Sequence, residues 1–345
     1  MSDSVTGPPE PKANPLLLGH AAAEAAMAEA VRAGRMHHAW LITGPRGVGK
    51  ATLAYRFARA LLAGIPASNS LDLAPAHPVF RRIAAGAHAD LRTLSRVVDP
   101  KTKKLRGEIV VDDVRAAGAF LRLTPAEGGW RVLVVDTAEE LNRNAANALL
   151  KMLEEPPERA VLLLVCNAPG RLLPTIRSRC RRLRLDPLDD ASMETLLTRY
   201  LPDLAADERS RLVTIAEGSP GRALMMAEEE GTRIAGLADG VLSALPDLPL
   251  PRVWEIADGI GRDGGAFVRF MELLRAGIAA ALRDALRGRA DPDQTRLAGL
   301  HPPARWAELW SELGRIQDET DGLNLDTRQA VIESLTLLAS RAPAR

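Results

Sequence analysis

The chain has 345 residues, 46% of them apolar and 26% charged, which is enough for two or three domains with buried cores and excludes a disordered chain. Its 45 Lys+Arg against 44 Asp+Glu leave a formal charge of +1, so contact with nucleic acid or a membrane has to come from local patches. Aromatic residues make up only 3% and there are two cysteines, Cys166 and Cys180; that argues against a base-stacking protein, a disulfide framework and a four-thiolate zinc site.

In chain order, residues 1–15 read as a flexible, Pro-rich arm with no signal-peptide character. Residues 21–33 (AAAEAAMAEAVRA) predict a helix from their Ala and Glu content. Ala39–Thr43 predicts a short buried strand running into Gly44-Pro45-Arg46-Gly47-Val48-Gly49-Lys50, and the spacing of Leu53, Phe57, Ala60 and Leu61 predicts the helix that follows. Ala89–Arg96 and Glu108–Val111 are predicted strands around a basic turn, Asp99–Arg106, and Asp112–Leu123 is a predicted helix. Trp130–Asp136 and Ala160–Cys166 are continuous apolar runs, as in strands buried on both faces. Between them Asn144–Glu155 predicts a helix that Pro156-Pro157 stops. Strands alternating with helices imply a parallel α/β sheet over residues 16–187.

Beyond Pro187 the pattern is helical throughout. Residues 188–230 predict a three-helix unit ending near Gly218-Ser219-Pro220-Gly221; a Pro/Leu-rich linker, Leu245–Pro251, leads to a last helical region. The longest apolar runs are strand-sized, far short of the roughly 20 residues that span a bilayer, so the chain reads as cytoplasmic with no membrane partner.

Gly44–Lys50 fits the first seven positions of the phosphate-binding pattern G-x-x-x-x-G-K-[ST]. Gly44, Gly47 and Gly49 let backbone N–H groups wrap a phosphate, and Lys50 supplies a point charge. The eighth position is Ala51, where a hydroxyl should ligate Mg²⁺; Thr52 comes one residue late. A glycine turn kept for its shape, without nucleotide, is the other reading. Asp136 closes the Trp130–Asp136 strand, but the acid that normally follows to polarise water is replaced by Thr137. Glu139 and Glu140 read as solvated residues at a helix start. Both departures point to a loop that has lost hydrolysis.

Asp136–Asn142 (DTAEELN) and Asn144–Pro157 (NAANALLKMLEEPP) resemble the clamp-loader branch of the AAA+ proteins, and Pro174-Thr175-Ile176-Arg177-Ser178-Arg179-Cys180 resembles its Ser-Arg-Cys motif. The resemblance implies an α/β P-loop AAA+ domain at 16–187, a small helical lid domain at 188–244 and an all-α collar domain at 245–345. Asn167 then stands at the sensor-1 position and Arg222 at the sensor-2 position. With Gly44, Gly47, Gly49, Lys50, Thr52 and Asp136 they would form a degenerate site for ATP or ADP. Arg179 would be an arginine finger acting on a neighbour's ATP; as one of five Arg in the eight residues Arg177–Arg184, it also reads as part of a basic, DNA-facing surface. The family often carries a four-Cys zinc module; the matching stretch, roughly Ala63–Asp90, has no Cys, so no zinc or other metal is expected.

By this resemblance the chain is a non-hydrolysing subunit of the bacterial DNA polymerase III clamp loader, not an enzyme on its own. Its partners would be gamma/tau and delta subunits and, through the assembly, the sliding clamp and primed DNA. Asn324–Ala339, with Asp326 as N-cap, resembles the last collar helix. The rival is an active P-loop AAA+ ATPase, a gamma-like motor or helicase-loader relative, which Lys50 and Asp136 favour and Ala51 and Thr137 oppose. A free-standing DNA-binding protein using Arg177–Arg184 is a third reading.

Overall fold

The structure is a computed structural model and describes residues 8–64, 71–98, 106–127, 129–261, 264–323 and 325–340. The first seven residues of the arm, most of the basic turn Asp99–Arg106, residues 65–70 of the cysteine-free stretch and Asn324 lie outside the described residues. The chain divides into two compact units, 1–225 and 226–345.

In the first unit, α1 (Ala21–Arg32) precedes β1 (Ala39–Thr43) and α2 (Lys50–Leu62), then α3 (Pro78–Ala84), β2 (Leu91–Leu94), α4 (Val111–Leu121) and β3 (Arg131–Val135). A 3₁₀ turn, Ala138–Glu140, leads to α5 (Arg143–Glu154), β4 (Ala160–Cys166), α6 (Pro174–Arg179), β5 (Arg181–Arg184), α7 (Asp190–Tyr200), α8 (Ala206–Ala216) and α9 (Pro220–Ala227). The five strands are all parallel, in the order β2-β3-β4-β1-β5.

Alternate residues of each central strand enter two cores. Trp40, Ile42, Val161, Leu163 and Val165 pack under α1, α2 and the lid helices, while Leu41, Leu162, Leu164 and Cys166 pack against α4, α5 and α6. Because both faces are apolar, a period-2 strand reads as an unbroken apolar run. On the far core α5 presents Ala145, Leu149, Met152 and Leu153. Its start is capped by Asn142, whose side-chain oxygen accepts from the Ala145 N–H at 2.9 Å, a bond whose loss typically costs ~1 kcal/mol. In the cysteine-free stretch His77 caps α3, accepting from the Val79 N–H.

Three local expectations are corrected. Glu108–Val111 is not a strand: Ile109 makes one isolated bridge to Leu141, and Val111 already opens α4, whose first turn carries Asp112 and Asp113, favourable to the helix dipole. The run Arg181–Arg184, read only as a basic patch, is β5, paired to β1. Its Arg181 guanidinium lies 4.6 Å from the centre of the Trp40 ring, a contact that suits a charged strand. From residue 8 the arm is bound: Arg59 Nη1 donates to Lys12 O at 3.0 Å, Arg59 Nη2 to Asn14 O at 2.7 Å, and the Tyr200 hydroxyl to Asn14 Oδ1 at 2.9 Å.

The second unit is all helical: α10 (Glu229–Ala244), α11 (Leu250–Ile260), α12 (Gly264–Leu286), α13 (Pro292–Ala298), α14 (Pro303–Leu323) and α15 (Thr327–Ala339). Helix α12 is central and packs against α10, α13 and α14, while α15 packs against α11 and α14. Helix α10, grouped with the lid helices in the sequence reading, thus packs within this unit. Asp326 caps α15, accepting from the Gln329 N–H at 3.0 Å. Among the described residues no helix is long and apolar enough to cross a membrane.

Candidate functional site

The C-terminal ends of parallel strands form one edge of an α/β sheet, and ligand crevices lie there. The glycine loop after β1, Asp136 after β3 and Asn167 after β4 all arrive at that edge. Gly47, Gly49, Lys50, Thr52, Asp136 and Asn167 line one cavity of about 330 Å³, at the small end of ligand pockets. Its remaining wall is largely apolar, with prolines of the arm, Leu16–Leu18 after it, Leu188 before α7, Tyr200 of α7 and Leu224 of α9.

The loop glycines answer to geometry. Gly44, Gly47 and Gly49 have φ of +149°, +81° and +106°, a region that L side chains enter at a cost. A Cβ on Gly44 would stand 2.3 Å from Leu185 O, and one on Gly47 would stand 2.4 Å from Ser219 Oγ. The turn before α9 closes on the loop from above: Gly221 N–H donates to Gly47 O at 2.9 Å and Ser219 Oγ to Arg46 O at 2.8 Å. From the other side the His20 ring Nε2 is 2.8 Å from Val48 O. Gly44 and Arg222 do not face the cavity; Arg222 instead pairs with Glu217 at 3.6 Å.

Lys50 is buried, its Nζ donating to Gly44 O at 2.8 Å and to Pro45 O. Desolvation pulls its pKa down to about 8, opposed first by Glu139 and then by Cys166 and Asp136. Burial, helped by Glu139, pushes the Asp136 carboxyl above its usual range, with Lys50 acting the other way. The donors present do not suit Mg²⁺, because Ala51 offers no hydroxyl at the position that follows Lys50. Among the described residues no group of three or more His, Cys, Asp or Glu could hold a metal ion. Burial raises both thiols, Cys166 and Cys180, to about 12, so neither is a nucleophile.

Glu139 was misread as a solvated residue. Thr137 adopts φ 68°, and the 3₁₀ turn after it swings Glu139 inward. Glu139 Oε1 accepts from the N–H of Asn167 at 2.8 Å and of Ala168 at 3.2 Å. Glu140, its neighbour, pairs with Arg96 at 2.9 Å. His20 and Ser219 were also missed. A turn such as Gly218-Ser219-Pro220-Gly221 marks a bend in sequence, but the loop it touches lies over 170 residues away.

Arg179 stands apart from this cavity. It ends α6 with its side chain 37% exposed; Nη2 pairs with Glu154 Oε1 at 2.8 Å and Nη1 donates to Thr175 O at 3.2 Å. The structure therefore brings together the loop, Asp136 and Asn167, and leaves Arg179 at a separate surface.

A parallel sheet in this order, with a phosphate loop after its β1 strand and polar residues closing its neighbours, defines a P-loop domain of the AAA+ build. Residues 19–189, the α/β domain and the start of the helical part, match the family model described as DNA polymerase III, delta subunit. The chain is 39% identical to DNA polymerase III subunit delta′ of Pseudomonas aeruginosa over 183 residues, covering 53% of each protein. It is 33% identical to subunit tau of Escherichia coli over 210 residues, covering 59% of this chain and 31% of that one. A weaker match, 28% over 335 residues, covers 94% of this chain and 53% of subunit gamma/tau of Mycobacterium tuberculosis. The chain thus spans about half the length, or less, of these curated relatives.

Proposed function

We propose that this protein is a delta-prime-type, non-hydrolysing subunit of the DNA polymerase III clamp loader, working in the cytoplasm. It supplies Arg179 in trans to the ATP site of a neighbouring gamma/tau subunit and, with the delta subunit, helps load the sliding clamp onto primed DNA. Helices α7–α9 act as the lid, and the helical second unit, α10 included, acts as the collar. No cofactor is required for this role, and ATP or ADP is at most a bound ligand of the Lys50 cavity.

The observation that carries this reading is the separation of the two halves of the chemistry. The chain's own cavity has Ala51 and Thr137 where ligation and water activation are needed, while Arg179 is turned to an exposed surface away from it. An exposed ion pair such as Arg179–Glu154 is worth at most about 1 kcal/mol, so exchanging Glu154 for a phosphate costs little. An arginine acting in trans on a γ-phosphate is worth about 10³–10⁵ in rate.

The test is ATP turnover of a reconstituted loader with clamp and primed DNA, wild type against Arg179→Ala, beside the isolated chain. The proposal expects a silent isolated chain and an intact Arg179→Ala assembly that turns over at least about tenfold slower. The rival reading, an active ATPase, draws support from the inward Glu139 carboxylate; turnover by the isolated chain that Lys50→Ala abolishes establishes it instead.

A further inference from the structure

We propose that Glu139 is a positioning residue of the Lys50 cavity: its carboxylate ties the turn after β3 to the end of β4, fixing Asn167, and acts as the internal counter-anion of Lys50. The inference rests on reading Lys50 and Asp136 as a degenerate nucleotide site.

The geometry has three parts. First, one carboxylate oxygen takes both N–H groups that follow β4, those of Asn167 and Ala168. These donors lie just past the strand, where no ladder bond serves them, so Glu139 closes the link between neighbouring strand ends. Second, Glu139 Oε2 is buried with no hydrogen-bond partner in the protein. A buried, unbonded carboxylate oxygen is costly; the Cys166 side chain hydrogen-bonds to this carboxyl group, and a nearby positive charge offsets the remaining cost. Third, the charged and titratable groups facing Lys50 are Glu139, Asp136, Cys166 and Arg46, and Glu139 is the strongest of those that favour its ammonium.

The consequence is electrostatic. Glu139 acts on Lys50 ahead of Asp136, so part of the charge that a phosphate would bring is already present in the fold. An incoming polyphosphate meets repulsion from Glu139 that a loop without this residue lacks. The same carboxylate favours the Lys50 ammonium against the desolvation that lowers its pKa.

The experiment is an NMR titration of side-chain-labelled lysines in the full chain without nucleotide. The chain has six lysines, and Lys50→Arg assigns the signal. Glu139→Gln keeps the shape and an acceptor oxygen but removes the charge. It is expected to lower the Lys50 midpoint by about one unit, a tenfold change in proton affinity, and by more than Asp136→Asn does. Glu139→Ala is expected to move the amide signals of Asn167 and Ala168, which Glu139→Gln largely preserves. A Lys50 midpoint unchanged in Glu139→Gln, or unchanged Asn167 and Ala168 amides in Glu139→Ala, overturns the proposal. Neither readout involves hydrolysis or Arg179, so failure of the trans-acting reading leaves this result independent.

Discussion

Gly47→Ala probes the closure of the lid turn on the phosphate loop. The loop holds Gly47 at φ +81°, where an alanine loses roughly 1–2 kcal/mol to its own backbone. The added Cβ stands 2.4 Å from Ser219 Oγ, 3.0 Å from Arg222 N and 3.2 Å from Gly221 Cα. The hydroxyl can rotate away, but it then surrenders its 2.8 Å bond to Arg46 O, worth about 0.5–1.5 kcal/mol. The two backbone atoms cannot rotate, so α9 must shift and stretch the 2.9 Å bond from Gly221 N–H to Gly47 O. These terms sum to roughly 2–4 kcal/mol. Urea unfolding of the first unit, followed by hydrogen exchange in peptides covering residues 39–62, measures it. Ser219→Ala alone should cost about 1 kcal/mol, and the double variant should cost less than the sum by ~1 kcal/mol, because the clash is shared. A Gly47→Ala change under about 0.5 kcal/mol, the range of an unconstrained surface site, or strict additivity in the double variant, refutes the reasoning.

Three further outcomes are expected. Asp90 and Arg131 are buried at 1% and 6% exposure and pair, Arg131 Nη2 to Asp90 Oδ1, at 3.4 Å, and Asp90 accepts from the N–H of Ala126 at 2.8 Å and of Glu127 at 3.0 Å; Asp90→Ala should cost about 3–5 kcal/mol of first-unit stability in urea, as breaking a buried ion pair does. Cys166 and Cys180, with thiols raised to about 12, should resist iodoacetamide at pH 8 in the folded chain and react promptly in urea, as read by mass spectrometry. Desolvation holds His38 and His88 below the ordinary histidine value of 6.5. A depressed pKa gives stability that is present above 6.5 and lost as pH falls through the folded values, so the urea midpoint of the first unit should drop between pH 7 and pH 5, and less so in His38→Asn.

The sheet was legible because its central strands are buried on both faces. Ala39–Thr43 and Ala160–Cys166 are apolar at every position bar Thr43, and the structure places strands at those same residues. The element that escaped, β5, fails every criterion that found the others. Three of its four residues are Arg, and it is held by pairing to β1 and by Arg181 over Trp40. Both are tertiary contacts, to residues about 140 positions earlier. Glu108–Val111 failed in the opposite direction: Ile109 is fully buried, so its apolar character is real, but it serves a single bridge to Leu141 rather than a strand.

The site divides along the same line. Gly44–Lys50 and Asp136 were legible because a phosphate loop is a local motif, set by φ values that few residues tolerate. Glu139 was not, because its role depends on Thr137 leaving the helical region at φ 68°. With an ordinary backbone there, Asp136-Thr137-Ala138-Glu139 would run into the next helix with Glu139 facing solvent, as acids at a helix start usually do. A Thr at positive φ is uncommon and carries no mark in sequence. The turn it makes puts a carboxylate two residues late, yet among the strand ends that build the cavity. Thr137 is therefore the residue whose replacement separates the two readings of this turn. Thr137→Gly relaxes the backbone and should leave Glu139 seated, whereas Thr137→Pro, whose ring fixes φ near −65°, should disturb the Asn167 and Ala168 amides as Glu139→Ala does. Equal, unperturbed amide signals in both variants would mean that the inward turn is not what holds Glu139 at the end of β4.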